Sequence, residues 1–236
     1  MGSTPQSSVL MPPKGHPQSL LSRLALTRAL VALLTHEEAV VAGIGNTNFD
    51  LFAAGHRPQN FYMLGSMGLA VPIALGGAVA QPARHFFALE GDGSLLMNLG
   101  CLATVAAVAP RNLAIIVWDN GSYQITGQQR AATSGATDLV GVARAAGIAS
   151  SAWAADEADF TRLVTDALTT DGPHLIAAHI DNAPGASRPE RDPVLLRDRY
   201  MRGIGAADSS LVGSGQRERR PLNGTGGRTA VRPYEE

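Results

Sequence analysis

Several classes of protein are excluded by what this sequence lacks. It has one cysteine, Cys101, in 236 residues, so an intramolecular disulfide framework and a multi-cysteine zinc site are impossible, and a reducing cytoplasm is the expected location. Aromatic residues make up 5% and the net charge is −1, which leaves neither a basic surface nor a stacking platform for nucleic acid. The most apolar stretch, residues 64–80, is interrupted by Pro72 and rich in Gly and Ala, so it is a poor membrane span. We expect no nucleic-acid partner and no membrane association.

The composition divides the chain into three parts. Residues 1–18 are rich in Pro, Ser and Gly and predict a flexible N-terminal arm, and a similar composition from residue 203 to 236 predicts a disordered tail. The predicted folded domain is residues 19–202. At its start, Ser19 is expected to cap a helix whose leucines, beginning with Leu20 and Leu24, recur near helical spacing.

Four short apolar runs punctuate this domain, at residues 39–42, 85–89, 113–118 and 174–180. Runs of this kind are typical of strands buried on both faces, and the Ala- and Leu-rich segments between them are long enough for helices. The alternation predicts an α/β fold with a parallel sheet covered by helices on both sides. A ligand site is expected at the carboxyl ends of the strands.

Two predicted strands run into unusual turns at that edge. One leads into EGDGS at residues 90–94, and the other into DNGSY at residues 119–123. Two glycines around a carboxylate at a helix N-terminus let a ligand approach the backbone, and free N–H groups there favour an anion such as diphosphate. A carboxylate beside an anion is reasonable if a divalent cation bridges the two. Magnesium could take oxygens from Asp92, the Asn120 amide and the Ser122 backbone carbonyl. Either turn alone is also compatible with an ordinary Asp-Gly or Asn-Gly turn.

Taken together, the two turns resemble, in spacing and placement, the Gly-Asp-Gly to Asn-Asn signature of thiamine diphosphate enzymes. Asp119 stands where the family usually has Asn, while Asn120 occupies the metal-ligating position. Residues 61–68 and 184–189 resemble the branch formed by the small subunit of sulfopyruvate decarboxylase and the C-terminal half of phosphonopyruvate decarboxylase. The resemblance implies the diphosphate-binding domain of the family, a three-layer α-β-α fold with a parallel, mostly six-stranded sheet.

The resemblance also implies site residues. The Gly65 carbonyl would accept a hydrogen bond from the 4′-amino group of the cofactor, Met67 would wedge between its two rings, and Ser94 would touch the diphosphate. The implied cofactor-binding set is Gly45, Asn46, Thr47, Gly65, Ser66, Met67, Gly91, Asp92, Gly93, Ser94, Asn120, Ser122, Tyr123, Gln124 and Ile125. The implied metal ligands are Asp92, Asn120 and Ser122.

The implied activity is decarboxylation of a 2-oxo acid to an aldehyde and CO₂ with thiamine diphosphate and Mg²⁺. In the family, a glutamate on a separate pyrimidine-binding domain activates the cofactor, and this chain has no room for a second such domain. The glutamate is therefore expected on a partner alpha subunit, in a hetero-oligomer such as α2β2 or larger. Thr126 could contact the substrate or stabilise its loop, whereas Glu90 lies at the diphosphate end and is a poor candidate for a catalytic base.

Other functions stay open at this point. The branch tends to carry Gly-Ser where this chain has Gln124 and Ile125, which leaves open whether the substrate has an anionic sulfonate or phosphonate tail. The same site could serve carboligation, as in acetolactate synthases, or the fold could serve only assembly or regulation. A nucleotide-binding Rossmann domain is disfavoured, because no third glycine or ribose-binding acid follows residues 43–45 at the required spacing.

Overall fold

The computed structural model describes residues 20–206. The predicted arm at residues 1–18 lies outside these residues, and so does the predicted tail at 203–236 from residue 207 onward. The strands are β1 (Ala39–Ala42), β2 (Asn60–Tyr62), β3 (Phe86–Gly91), β4 (Leu113–Asp119), β5 (Ser122–Tyr123), β6 (Gln129–Arg130), β7 (Ser150–Trp153) and β8 (His174–His179). The helices are α1 (Arg23–Leu33), α2 (Asn46–Ala54), α3 (Ala70–Ala80), α4 (Asp92–Leu96), α5 (Cys101–Val108), α6 (Leu139–Ala145), α7 (Glu157–Thr169) and α8 (Pro193–Gly203).

Six of the strands form one parallel sheet in the order β2-β1-β3-β4-β8-β7, and β5 pairs with β6 in a small antiparallel hairpin. The four apolar runs are β1, β3, β4 and β8, the inner strands, so the predicted α/β fold with a parallel sheet is confirmed. The strand order reverses between β1 and β3. Open α/β sheets bind ligands at such a switch point, outside the carboxyl ends of the strands.

Helices cover both faces of the sheet, which gives the three layers. On one face α1, α2 and α7 enclose a core that includes Leu30, Trp118 and Phe160. On the other face α3, α5 and α6 enclose a second core that includes Val71 and Leu102. Successive residues of each inner strand alternate between these cores, and both faces are apolar. This double burial explains why the inner strands appear in the sequence as continuous apolar runs.

The start of the domain differs from the prediction. The cap of α1 is Ser22, whose side chain accepts a hydrogen bond from the Ala25 N–H, and not Ser19. The helix cannot begin earlier, because Leu21 is extended and donates its backbone N–H to His179 at 2.9 Å, alongside β8. As a result Leu20 is half exposed rather than part of the helical apolar face.

At the other end, α8 continues through Gly203, and Ile204 is buried in the second core. Gln81 donates a side-chain hydrogen bond to the Ile204 carbonyl at 3.0 Å. Across residues 20–206, no helix combines the length and apolar character needed to cross a bilayer.

Candidate functional site

A cleft opens at the carboxyl edge of the sheet, beside the switch point between β1 and β3. The first turns of α1, α2 and α4, the ends of β3, β4 and β8, and the hairpin after β4 form its walls. Its lining residues are Arg23, Ile44, Asn46, Thr47, Met67, Gly91, Asp92, Gly93, Ser94, Trp118, Asn120, Ser122, Tyr123, Gln124, Ile125, Thr126 and Ile180. Most of the residues implied by the resemblance are therefore brought together in one place.

The loop after β1 presents an open helix terminus to this cleft. Gly45 precedes α2 with φ of +79°, and no side chain caps the helix. The first backbone N–H groups of an uncapped helix lack intrahelical partners and attract anions. Asn46 and Thr47, the first two residues of α2, line the cleft. Gly45 does not line it but supports its wall, since a Cβ there would lie 2.8 Å from Ile125 Cγ1.

Asp92 begins α4 at the end of β3 and is 1% exposed. The Thr133 hydroxyl donates a hydrogen bond to its Oδ2. Burial raises the pKa of Asp92 to about 7, and the nearby Asp119 carboxylate adds to the increase. Among the described residues, no basic side chain contributes to this shift. Asp119 Oδ2 lies 3.5 Å from His179 Nδ1, whereas no described basic side chain is paired with Asp92. A cation would therefore bind favourably beside the buried Asp92 carboxylate.

Asn120 and Ser122 lie next to this acidic pair and line the same cleft. The Asn120 Oδ1 accepts the Ser122 N–H at 3.1 Å, and its Nδ2 donates to Asn182 Oδ1 at 2.8 Å. In the described part of the chain, no group of three or more His, Cys, Asp or Glu side chains could hold a metal ion. One carboxylate, one amide oxygen and one backbone carbonyl are nevertheless hard donors of the kind magnesium accepts, because magnesium takes few ligands from the protein. The residues present therefore fit a magnesium ion.

The two glycines beside Asp92 serve different purposes. A Cβ on Gly91 would meet nothing within 4 Å, so this position leaves room at the cleft wall. A Cβ on Gly93 would lie 2.8 Å from Tyr123 Cδ1 and closer still to Cε1. The space at Gly93 is thus filled by the Tyr123 ring of the hairpin, and only Gly91 leaves its backbone open to a ligand.

Ser94 is held by groups beneath the cleft. Its hydroxyl donates to the Glu90 carboxylate, with oxygens at 2.9 and 3.0 Å, and accepts the Gly68 N–H at 2.9 Å. Glu90 is fully buried, and burial raises the pKa of its carboxyl to about 7. Ser94 lines the cleft and Glu90 does not. A contact between Ser94 and a diphosphate stays a prediction.

The segment before α3 contributes one side chain to the cleft, Met67. Gly65 and Ser66 are exposed and do not line it. Ser66 has φ of +63° and Gly68 has φ of +82°, which turns the chain sharply on either side of Met67. The predicted roles of Gly65, Ser66 and Met67 on the pyrimidine ring stay predictions.

The β5–β6 hairpin forms the outer wall. Its tip, Gln124–Thr126, is a 3₁₀ turn whose three residues line the cleft. The Gln124 Oε1 accepts a hydrogen bond from Asn46 Nδ2 at 2.7 Å. The Thr126 hydroxyl donates to Gln129 Oε1 at 3.0 Å, so it stabilises the hairpin. Ile125 remains 58% exposed.

The sequence interpretation missed Arg23, Thr133 and Trp118. Arg23 is 3% exposed and lines the cleft although it belongs to α1. Its burial depends on Asp50, which binds its Nε at 2.7 Å. Nothing local in the sequence marks this pairing, because an arginine in the first turn of a helix usually lies at the surface.

Comparisons with known proteins agree with this geometry. The family model described as thiamine pyrophosphate enzyme, C-terminal TPP binding domain, matches residues 43–178; thiamine pyrophosphate is another name for thiamine diphosphate. A phosphonopyruvate decarboxylase of Streptomyces hygroscopicus is 40% identical over 201 residues, which cover 83% of this chain and 49% of the relative. The sulfopyruvate decarboxylase subunit beta of Methanocaldococcus jannaschii is 34% identical over 183 residues, covering 77% of this chain and 96% of the subunit.

A solved structure shows the same fold. The benzoylformate decarboxylase of Polynucleobacter necessarius superposes with a TM-score of 0.60 at 19% identity, covering 73% of this chain and 36% of that one. This chain thus spans about half the length of the phosphonopyruvate decarboxylase it matches, and nearly all of the beta subunit. On the strength of the family model and these relatives, the chain belongs to the thiamine pyrophosphate enzyme family and carries its C-terminal TPP-binding domain.

Proposed function

We propose that this chain is the diphosphate- and magnesium-binding subunit of a two-subunit, thiamine diphosphate-dependent 2-oxo acid decarboxylase, a carboxy-lyase that forms an aldehyde and CO₂. The observation that carries the proposal is the cleft itself, where an uncapped helix terminus faces the oxygen donors Asp92, Asn120 and Ser122. The names of the relatives, phosphonopyruvate and sulfopyruvate decarboxylase, support the reaction. The predicted cytoplasmic location is part of the proposal.

The need for a partner follows from what the cleft holds. Asp92 is the only carboxylate among its described lining residues, and Glu90 is bonded to Ser94 outside it. The free volume is about 110 Å³, well below the roughly 300–1,000 Å³ of a complete small-molecule pocket. A second chain would therefore supply both the missing wall and the activating glutamate. The name of the archaeal relative, subunit beta, supports such an assembly, with α2β2 or larger as the proposed stoichiometry.

The chain's own residues would act in binding and positioning. The first turn of α2 would receive the diphosphate, and Asp92, Asn120 and the Ser122 carbonyl would hold the magnesium ion that bridges to it. When bound, thiamine diphosphate supplies the electron sink for loss of CO₂. The apolar side chains of Met67 and Ile125, which line the cleft, would exclude water from the reacting end.

Cofactor binding tests the proposal directly. Calorimetric titration of the full chain, alone and mixed with a candidate partner subunit, should show thiamine diphosphate binding that requires Mg²⁺. Asp92→Ala should abolish this binding, because the variant loses the only carboxylate among the described residues that line the cleft. Asp171→Ala removes an exposed carboxylate from the other end of the sheet and serves as the matched control. Unchanged affinity in Asp92→Ala would refute the metal assignment.

Product analysis of the two-chain complex separates the remaining functions. A decarboxylase releases an aldehyde from a single 2-oxo acid, whereas a carboligase gives a hydroxyketone from two carbonyl substrates. If the two chains form a complex that binds the cofactor but catalyses neither decarboxylation nor carboligation, this chain is an assembly or regulatory subunit.

A further inference from the structure

Arg23 is a buried cation in the wall of the cleft, and no role is yet assigned to it. It is the only basic side chain among the lining residues that the structure describes. At 3% exposure, the guanidinium is held where a charge is costly unless it has partners. Such a costly placement in a binding cleft calls for an explanation beyond the stability of α1.

Two of its three nitrogens are fixed by the fold. Nε donates to Asp50 Oδ2 at 2.7 Å, and Nη2 donates to the Ala183 carbonyl at 2.8 Å. The other Asp50 oxygen accepts the Ala186 N–H at 2.8 Å, so the carboxylate is itself held in place. The third nitrogen, Nη1, donates to no described residue. The guanidinium is therefore pre-oriented, with the N–H groups of Nη1 left for a ligand.

The position of Asp50 shows which end of the cleft this donor serves. Asp50 lies in the second turn of α2, one turn beyond Asn46 and Thr47. Arg23 therefore stands beside the uncapped N-terminus of α2, where the free backbone N–H groups attract an anion. A bound diphosphate would need this extra donor, because Asp92 brings a further negative charge to the same cleft.

We propose that Arg23 is a cofactor-binding residue whose Nη1 donates to the diphosphate at the N-terminus of α2, while Asp50 positions the guanidinium. This inference rests on the proposed function, since it assumes that the cleft takes thiamine diphosphate. The diphosphate would thus be bound by a charged side-chain donor from α1 as well as by the backbone N–H groups of α2. Arginine suits this task better than lysine, because its fork can hold Asp50 and a phosphate oxygen at the same time.

The decisive variant is Arg23→Gln combined with Asp50→Asn. The pair it removes has no net charge, and the two amides can keep hydrogen bonds to each other and to the Ala183 carbonyl and the Ala186 N–H. The fold should survive, as a thermal melt would show, whereas Arg23→Gln alone leaves a buried carboxylate unpaired. Arg188→Gln is the matched control. Arg188 packs over Phe49, which lies in α2 next to Asp50, but it does not line the cleft.

Calorimetry on the full chain with Mg²⁺ should show thiamine diphosphate binding about 10- to 100-fold more weakly in the double variant, the loss of one charge-assisted hydrogen bond. Inorganic diphosphate, measured as a competitor, should lose the same factor, and Arg188→Gln should match the wild type. Equal affinity in the double variant and the wild type would overturn the inference, and so would a loss for thiamine diphosphate that inorganic diphosphate does not share. If the wild-type chain binds neither ligand, alone or with its partner, the proposed function itself fails.

Discussion

Replacing Asp92 by Asn should stabilise the free chain at neutral and alkaline pH, even though it removes the carboxylate of the proposed magnesium site. The carboxylate is 1% exposed and lies near Asp119, so its charged form is unfavourable in the folded chain without a cation. An asparagine has the same shape and can still accept the hydrogen bond from Thr133. The variant therefore removes a buried charge without opening a cavity.

The direction and size of this change in stability follow from the pKa of Asp92, which rises from 3.8 to about 7 on folding. The folded chain binds this proton more tightly than the unfolded chain, so the contribution to stability is fully present below pH 3.8 and is lost as the pH rises through 7. At about 1.4 kcal/mol per pKa unit, this shift means that the charged carboxylate costs about 4 kcal/mol at pH 8. Asp92→Asn should recover that amount at pH 8. The difference in the free energy of unfolding between Asp92→Asn and the wild type should shrink by about 1.4 kcal/mol per pH unit as the pH falls from 7 towards 4.

Urea denaturation without magnesium, at pH 5, 6, 7 and 8, measures this difference. Asp171→Asn, in which the replaced side chain is 71% exposed, is the control and should show no pH-dependent difference from the wild type. Mg²⁺ with thiamine diphosphate should then raise the melting temperature of the wild type and leave Asp92→Asn unchanged. The reasoning is refuted if Asp92→Asn is no more stable than the wild type at pH 8, or if the gap does not change with pH.

Two further predictions concern glycines. Gly93→Ala should displace the Tyr123 ring, because the new Cβ would lie 2.8 Å from Tyr123 Cδ1. Calorimetry should then show weaker cofactor binding, with only a small change in melting temperature because the hairpin is partly exposed and can move. Unchanged affinity would contradict the packing role of Gly93. In α3, Gly77→Ala should destabilise the chain by about 1–3 kcal/mol, since its Cβ would lie 2.7 Å from Phe86 Cδ1 in the core. A Cβ on Gly76 would meet nothing within 4 Å, so Gly76→Ala should stabilise the chain by about 0.5–1 kcal/mol. If urea denaturation showed Gly77→Ala to be more stable than Gly76→Ala, this packing argument would be refuted.

The inner strands could be predicted from the sequence because burial on both faces leaves a continuous apolar run, as in β4. The edge strands could not. β2 is three residues, Asn60–Tyr62, and β7 is Ser150–Trp153; each pairs with a single neighbour and carries polar residues. The apolar segment at residues 95–108 likewise gave no sign that α4 ends at Leu96 and that α5 begins at Cys101.

The residues of the site also fall into those that the sequence predicts and those that it does not. Asp92 and Asn120 were predictable because each follows a strand directly and stands next to a glycine, so local sequence marks both turns. Arg23 could not be found, because its partners Asp50 and Ala183 lie 27 and 160 residues away in the chain. Only the folded sheet brings these three segments together. Motifs thus identify groups placed by a single turn, and the tertiary structure is needed for groups placed by several elements.

The cleft has two ends of opposite electrostatic character, and this arrangement determines what can bind there. At one end Asp92, which lies near Asp119, favours a cation. At the other end are the uncapped N-terminus of α2 and Arg23, the proposed donors to an anion. Under the proposed function, neither a free metal ion nor a free diphosphate would satisfy both ends, whereas a magnesium diphosphate would. Binding of the pair relieves the repulsion between the carboxylates and fills the open N–H groups of α2, so it stabilises the folded chain in proportion to RT ln(1 + [L]/Kd). Magnesium and diphosphate should therefore bind cooperatively, each raising the affinity for the other.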